Sequence, residues 1–330
     1  MQDILQPNRD LKHEDFERAL IVINPVAGDG RSIGVLPDLI RRLTERGYLC
    51  TAITTTGAGS ATQFVKLLGR GSSVVICSGG DGTANEVISG LMHIPEEQRP
   101  CFAYIPAGST NDFAATLGIP KRTKEALSII ESGISVPIDV GMFNDRYYAY
   151  VCAFGAFTGV SHTTSQTAKN LFGQLAYFAK GIESLRSIAP IRTRFIINGE
   201  EIEEEVGFCS ISNSTCIGGV IKIKPDLVEL NDGMFEILII KYPPDAMGFT
   251  KIFNAIASGE MRSEYIRIYH ASEVDITILE EIPVDWTLDG EIEKGVRHAH
   301  IKNIHSGIRV IVDGSGEKGI AIKPGAAAEN

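Results

Sequence analysis

The stretch VVICSGGDGTANEVISGLM, residues 74–92, joins an apolar run to a helix-like segment through a loop of glycines. Val74 to Cys77 has the composition of a buried strand, and Ala84 to Met92 has the spacing of a helix. Between them, Asp81 stands in a loop that is almost bare of side chains. A strand, a glycine loop and a helix in this order are typical of a parallel sheet, where ligands bind at the carboxyl ends of strands.

The same alternation extends through the first 140 residues of the chain. Four apolar strands are predicted, at Ala19–Asn24, Leu49–Thr54, Val74–Cys77 and Phe102–Ile105. Helices are predicted after them, at Ile33–Arg46, Ala61–Leu68, Ala84–Met92 and Lys124–Glu131. Strands that alternate with helices predict a doubly wound, parallel α/β domain that binds its ligand at the strand ends.

The alternation of strands and helices ends near Ser135, and short predicted strands separated by turn pairs such as Asn198-Gly199 follow. One helical stretch is predicted, at Gln166–Ile188, and the last strand, Gly307–Val312, is expected to return to the first domain. We therefore predict a second, antiparallel β-sandwich domain. The expected boundaries are residues 1–139 with 305–330 for the α/β domain and 140–304 for the sandwich, with the active site in the cleft between them.

The composition and the charge of the chain argue against several classes of function and location. The net charge of −10 argues against nucleic acid as the main partner. No apolar run approaches the roughly 20 residues of a membrane-spanning helix. The polar N-terminus does not resemble a signal peptide, and the six scattered cysteines are expected to be reduced thiols. These features predict a cytoplasmic protein.

Three glycine-bearing loops follow predicted strands, at 24–32, 78–83 and 106–114. Glycines let backbone N–H groups approach an anion, and the helix that follows offers its positive N-terminus. Asp81 would repel a phosphate, so it is best explained by a divalent cation between the two. A capping role in a tight turn is the alternative. Asp112, beside the hydroxyls of Ser109 and Thr110, repeats the pattern, with a helix cap as its own alternative.

Together the motifs NPVAG, SGGDGTANEV, PAGSTNDFA and the late LDGE (Leu288 to Glu291) resemble the diacylglycerol kinase catalytic-domain family, in its soluble bacterial lipid-kinase branch. The resemblance extends from about residue 19 to residue 312, and the stretch 153–182 also resembles the second domain of these kinases. The GGDGT element is shared with NAD kinases, whereas PAGSTNDFA and LDGE favour lipid kinases. Ser109 stands where the family usually has threonine, and it retains the hydroxyl.

The resemblance implies ATP- and Mg²⁺-dependent phosphorylation of a lipid hydroxyl, diacylglycerol being the type substrate. It implies a group of residues that hold the nucleotide: Asn24, Thr55, Thr56, Gly79, Gly80, Gly82, Thr83, Ser109 and Thr110. It also implies that Asp81 and Asp112 belong to a Mg²⁺–carboxylate network, and that Glu291 acts as general base or orients the base. The sequence does not decide between Asp81 and Glu291 as the base.

A second metal site is implied in KPDLVELNDGMFEI, residues 224–237. In some relatives this element binds a structural Mg²⁺, which here would use Asp232 and the backbone carbonyls of Glu229 and Met234. An Asp-Gly hairpin turn explains the same residues equally well.

The expected partner is a lipid at the inner face of the cell membrane, reached by transient, peripheral contact; a homodimer is possible. Six basic residues could touch anionic headgroups: Arg31, Lys121, Arg122, Lys124, Lys169 and Lys180. Solvated helix faces would explain the same charges. Three other functions stay open: a kinase for a soluble substrate such as NAD, a kinase for a sphingoid or other lipid, and a nucleotide-binding protein without turnover.

Overall fold

The computed structural model describes residues 16–156, 189–218, 221–224, 228–261 and 263–314. The chain divides into two compact units, residues 1–138 with 307–319 and residues 139–306 with 320–330. The chain passes from the first unit to the second within one strand, Ile134–Phe143, and returns within another, His298–Val312.

The first unit contains a parallel sheet in the order β2–β1–β3–β4–β17. Its strands are β1 (Glu17–Ile23), β2 (Tyr48–Thr54), β3 (Val74–Gly79), β4 (Cys101–Pro106) and residues 307–312 of β17 (His298–Val312). The order reverses between β1 and β3, since β2 lies on the other side of β1. In open sheets of this kind, ligands bind outside the carboxyl ends of the strands at such a reversal.

Six α-helices are described in this unit: α1 (Arg31–Gly34), α2 (Leu36–Glu45), α3 (Ser60–Leu68), α4 (Asp81–Met92), α5 (Asp112–Thr116) and α6 (Thr123–Ser132). Short 3₁₀ turns lie at Ala27–Gly30 and Glu96–Gln98. The single helix predicted over residues 33–46 is wrong, because α1 and α2 meet at Val35. Pro37 has no N–H to bond the carbonyl four residues earlier, so one continuous helix is disfavoured.

The core of this unit explains why its strands are apolar along their whole length. Every residue of β3 and the last five of β1 are buried. Leu39 and Leu43 of α2 and Leu127 of α6 pack with these strands in one cluster. The helices thus cover the sheet, and continuous apolar runs such as ALIVI follow from burial on both faces.

In the part of the second unit that the structure describes, antiparallel strands predominate, as predicted. They are β5 (Ile134–Phe143, from residue 139), β6 (Arg146–Tyr148), β7 (Val151–Gly155), β8 (Ile191–Ile197), β9 (Glu200–Ser212), β10 (Cys216–Ile217), β11 (Ile221–Lys222), β12 (Phe235–Lys241), β13 (Ile266–Ala271), β14 (Glu273–Ile278), β15 (Val284–Leu288), β16 (Glu291–Val296) and residues 298–306 of β17. The long strand β9 pairs with β7, β8 and β12. Trp286 is buried in the core of this unit, with its ring centroid 4.6 Å from that of Phe154 and 4.9 Å from that of Phe143.

One helix of this unit, α7 (Ala246–Ser258), is absent from our sequence prediction. The Asp245 carboxylate caps it by accepting the Gly248 N–H at 2.8 Å. The predicted helix at 166–188 falls outside the described residues. All six cysteines are free. Among the described residues, no helix has the length and apolar character needed to cross a bilayer.

Candidate active site

The loops after β1, β3 and β4 meet at one edge of the parallel sheet. The Asn24 side-chain amide donates to the Thr83 hydroxyl at 3.1 Å, which links the end of β1 to the first turn of α4. Thr83 itself packs against Gly79, where an added Cβ would lie 2.7 Å from the threonine side chain. Glycine at position 79 therefore allows the close turn from β3 into α4.

Gly80 and Gly108 bring the second and third loops into backbone contact. A Cβ at Gly108 would lie 2.7 Å from the Gly80 Cα, so any larger residue would push the loops apart. Gly28 of the first loop has a positive φ of 60°, and a Cβ there would lie 2.5 Å from the Ala107 carbonyl oxygen. One glycine of each loop, Gly28, Gly80 and Gly108, thus allows close packing of backbone against backbone.

Asp81 is the first residue of α4, and its side chain points to the third loop. Its carboxylate accepts the N–H of Asp112 at 3.3 Å and that of Phe113 at 3.4 Å. Burial raises the pKa of Asp81 above its ordinary value, and these backbone hydrogen bonds partly oppose the rise. The capping interaction expected as the alternative for Asp81 is therefore present, but it caps the neighbouring helix α5 instead of α4.

Asp112 begins α5 and is almost fully buried, with 4% of its surface exposed. Asn111, just before it, adopts a left-handed conformation with φ of 54° and donates through its side-chain amide to the Gly108 carbonyl at 2.7 Å. The Asn111 Oδ1 atom is buried and has no hydrogen-bond partner among the described residues. Two acids and an acceptor oxygen are thus concentrated where α4 and α5 begin. Ser109 is exposed and Thr110 is half-buried in the same loop.

Thr55 and Thr56 follow β2, and a carboxylate from α4 holds their loop. Glu86 accepts the N–H of Gly59 at 2.7 Å and that of Ala61 at 3.0 Å. The Ser60 hydroxyl between them accepts the Thr56 N–H at 3.1 Å. Helix α4 therefore contacts the loops on both sides, through Asp81 towards β4 and through Glu86 towards β2.

Glu291, the predicted base or base-orienting residue, lies in the second unit at the start of β16. It follows a two-residue turn in which Asp289 and Gly290 both have positive φ, 49° and 91°. Such a turn joins antiparallel strands tightly, and Leu288 and Glu291 pair across it. The Arg146 guanidinium lies 3.6 Å from the Glu291 carboxylate and also contacts Glu293.

The predicted second metal site is a turn in the same unit. The Asp232 carboxylate accepts the Met234 N–H at 2.9 Å, as in an ordinary Asp-Gly turn, and the Met234 carbonyl accepts from Asn303 at 3.0 Å. Glu229 is half-buried nearby in sequence. The fully buried Asp139 stabilises the turn by accepting the Gly233 N–H at 2.7 Å. These contacts explain the turn without a metal, and the metal role of these residues stays a prediction.

Comparisons with known proteins agree with this architecture. Residues 18–143 match the family described as the diacylglycerol kinase catalytic domain, and residues 152–312 match the YegS C-terminal NAD kinase beta sandwich-like domain. The chain is 32% identical over 304 residues to a diacylglycerol kinase of Bacillus subtilis, covering 90% of this chain and 97% of that protein. The chain belongs to the diacylglycerol kinase family.

Other relatives of the diacylglycerol kinase family support the same conclusion. A diacylglycerol kinase of Staphylococcus carnosus is 31% identical over 277 residues, which is 83% of this chain and 89% of that protein. A crystal structure of a diacylglycerol kinase from Bacillus anthracis superposes with a TM-score of 0.73, at 24% identity, over 91% of this chain and 98% of that chain; this likeness shows the fold. The chain is therefore a lipid-kinase-type phosphotransferase, and kinases of this type use ATP.

Four residues of this diacylglycerol kinase relative were missed by sequence reasoning: Glu86, Asn111, Asp139 and Asp289. The side chain of each one hydrogen-bonds to backbone groups. Except for Asn111, these backbone partners are distant in sequence, so no local spacing of residues reveals them. The one available signal is position, since Glu86, Asn111 and Asp289 lie inside motifs that were already singled out.

Proposed function

We propose that this protein transfers the γ-phosphate of ATP to the hydroxyl of diacylglycerol, giving phosphatidic acid, with Mg²⁺ as the metal. One observation carries the proposal: the residues that follow β1 and β4 both bond to the first turn of the 12-residue helix that follows β3, Asn24 through the Thr83 hydroxyl and Asp112 through the Asp81 carboxylate. The names of the relatives support diacylglycerol as the lipid.

The residues of the first unit supply a site for a triphosphate. The first turn of α4 leaves backbone N–H groups without partners inside the helix. Gly80 and Gly82 have no side chains that would keep a phosphate from approaching these groups. Asn24 fixes the Thr83 side chain at this helix end. The loops with Thr55 and Thr56 and with Ser109 and Thr110 flank it, and we assign their hydroxyls to the nucleotide.

The side chains near Asp81 fit a bound Mg²⁺. A hard cation takes oxygen ligands, and the Asp81 carboxylate and the partnerless, buried Asn111 Oδ1 are such oxygens. Asp81 would hold the metal, and Asp112 would extend the carboxylate network. Bound Mg²⁺ neutralises charge on the phosphates of a transferring phosphoryl group.

The lipid hydroxyl needs a group that accepts its proton as the new P–O bond forms. We assign this role to Glu291, whose partly exposed carboxylate is held on a short hairpin. The proton moves to a Glu291 carboxylate oxygen, the hydroxyl oxygen bonds to the γ-phosphorus, and ADP leaves. Asp81 serves the metal in this scheme and is not the base.

We further propose that the enzyme acts in the cytoplasm and contacts the inner face of the membrane transiently. Lys121 and Lys124 are exposed near the start of α6 and are suited to anionic headgroups. Lys169 and Lys180 lie outside the described residues. A homodimer remains a proposal that rests on no described contact.

A radiolabelled-ATP assay over separated lipids tests the substrate. Diacylglycerol, monoacylglycerol, phosphatidylglycerol and a sphingoid base are offered in mixed micelles, with Mg²⁺ or with a chelator, and NAD is offered as a soluble acceptor. We expect label in phosphatidic acid only when Mg²⁺ is present. Label in another lipid would replace diacylglycerol as the substrate, and label in NADP would overturn the lipid-kinase proposal.

A further inference from the structure

The turn before Glu291 is fixed by an acid with no assigned role. Asp289 has only 4% of its surface exposed. Its carboxylate accepts the N–H groups of Tyr150 and Val151, each at 3.0 Å, and also that of Ala149. Three consecutive backbone donors on one carboxylate repay the cost of burying its charge.

This contact joins the turn to one corner of the second unit, the segment between β6 and β7. The Asp289 N–H also donates to the Val151 carbonyl at 2.8 Å, so both the side chain and the backbone of Asp289 are hydrogen-bonded to this corner. Arg146, the first residue of the strand β6 that leads into this corner, lies 3.6 Å from Glu291. The corner therefore holds the turn through Asp289, and the strand before it contacts the Glu291 side chain through Arg146.

Glu291 has little freedom to move independently of this turn. It is the second residue after Asp289, and its backbone pairs with Leu288. A type I′ turn defines the direction of the strand that leaves it, so a shift of Asp289 is passed on to Glu291. Misplacing a catalytic group by about 1 Å costs a rate factor of about 100.

We propose that Asp289 is the positioning residue that sets the location of Glu291 for proton removal from the lipid hydroxyl. This inference rests on the proposed function, because it gives Glu291 the role of base. Asp289 contacts neither nucleotide nor lipid in this scheme and acts only through Glu291.

The test is a double-mutant cycle of Asp289→Asn and Glu291→Gln, with kcat expressed per chain that binds ATP. The amide of Asp289→Asn retains an acceptor oxygen but loses acceptor capacity for one N–H group. We expect Asp289→Asn to lower kcat roughly 10- to 100-fold while Kd for ATP stays unchanged. In the Glu291→Gln background the same change should cost less than about twofold, since the group through which it acts is gone.

Asp285→Asn is the matched control. The Asp285 carboxylate accepts the Gly295 N–H at 2.9 Å in the same hairpin but at its other end. It should leave kcat within about twofold of wild type. Gly290→Ala gives a second route to the same displacement, because φ of 91° is strained for alanine although no atom lies within 4 Å of the added Cβ. It should lower kcat without altering the carboxylate.

The outcomes separate the claims. Equal, multiplicative losses in both backgrounds, or an unchanged kcat in both Asp289→Asn and Gly290→Ala, would overturn the positioning role. A weakened Kd for ATP would also overturn it, since Asp289 would then act on the nucleotide. If Glu291→Gln alone leaves kcat unchanged, the assignment of the base fails, and the inference fails with it.

Discussion

At the scale of single residues, burial decides what each acid can do. Asp81 retains contact with solvent, and its hydrogen bonds from Asp112 and Phe113 are long, at 3.3 and 3.4 Å, so its oxygens remain suited to a cation. Asp139 and Asp289 are buried and hold turns through short contacts with backbone N–H groups. Glu236 differs from all of these, because neither of its carboxylate oxygens has a hydrogen-bond partner among the described residues.

Glu236 should make stability depend on pH. Burial, with a smaller contribution from nearby carboxylates, raises its pKa to about 9. Between its ordinary pKa of 4.5 and about 9, the folded chain holds a proton that the unfolded chain has lost, so stability falls as pH rises. We expect Glu236→Gln to remove up to about 1.4 kcal/mol per pH unit from this slope.

Urea unfolding of wild type and Glu236→Gln at several values from pH 5 to pH 9 measures the effect. The two free energies of unfolding should diverge as pH rises, with the variant becoming the more stable. Parallel curves over the whole range would show that Glu236 ionises normally in the folded protein.

At the scale of elements, α4 connects the loops of three strands. Asp81 and Glu86 accept N–H groups on opposite sides of it, and Gly90 lets it approach α3, since an added Cβ would lie 2.6 Å from the Val65 Cβ. A shift of this helix would therefore move the predicted nucleotide residues on either side.

Glu86→Ala should weaken nucleotide binding. The change removes the two carboxylate oxygens that accept the Gly59 and Ala61 N–H groups. The loss of a helix cap of this kind costs about 1 kcal/mol of stability. We expect Kd for ATP to rise about fivefold, because the loop must then be ordered at the expense of binding. Isothermal titration with ATP and Mg²⁺ measures it.

Asp245→Ala is the control for this prediction, because it removes a comparable cap from α7 in the second unit. It should lower the melting temperature to a similar extent and leave Kd for ATP unchanged. If Glu86→Ala also lowers only the melting temperature, the carboxylate stabilises α3 but has no influence on the nucleotide loops.

The elements also show how far sequence reasoning reaches. The strands of the α/β unit were predicted to within about three residues, because continuous apolar runs have few alternatives. Helix α7 lies outside the sequence prediction although Phe249, Ile252, Ala255 and Ile256 are buried at helical spacing; its start is marked in the sequence by two prolines before Asp245. Asp81, Asp112 and Glu291 are predicted site residues because they lie in motifs, and their roles stay predictions. The contacts of Glu86 and Asp289 depend on tertiary packing, which no local pattern encodes.

At the scale of the whole molecule, the net charge disfavours binding to an anionic membrane, although the proposed substrate requires such binding. The net charge of −10 opposes adsorption to an anionic membrane, whereas the proposed substrate resides in one. Local basic residues such as Lys121 and Lys124 must then provide the attraction, each contributing about 1 kcal/mol near the surface.

Vesicle co-sedimentation tests this balance. The double variant Lys121→Glu, Lys124→Glu should bind vesicles containing phosphatidylglycerol more weakly than wild type, by at least tenfold, from about 1 kcal/mol per lost charge. Lys66→Glu, at an exposed position in α3, changes charge elsewhere and should have a smaller effect. Binding that is indifferent to phosphatidylglycerol content would contradict an electrostatic contact.

The central claim is that the Asp81 carboxylate holds the metal through which this protein acts as a lipid kinase. It is tested most directly by titrating Mg²⁺ into wild type and Asp81→Asn with labelled ATP and diacylglycerol micelles. We predict that wild type forms phosphatidic acid with a saturable dependence on Mg²⁺, and that Asp81→Asn, still folded by circular dichroism, loses at least roughly a thousandfold in kcat at every Mg²⁺ concentration. Near-normal turnover by Asp81→Asn, or product formation by wild type in excess chelator, would contradict the account.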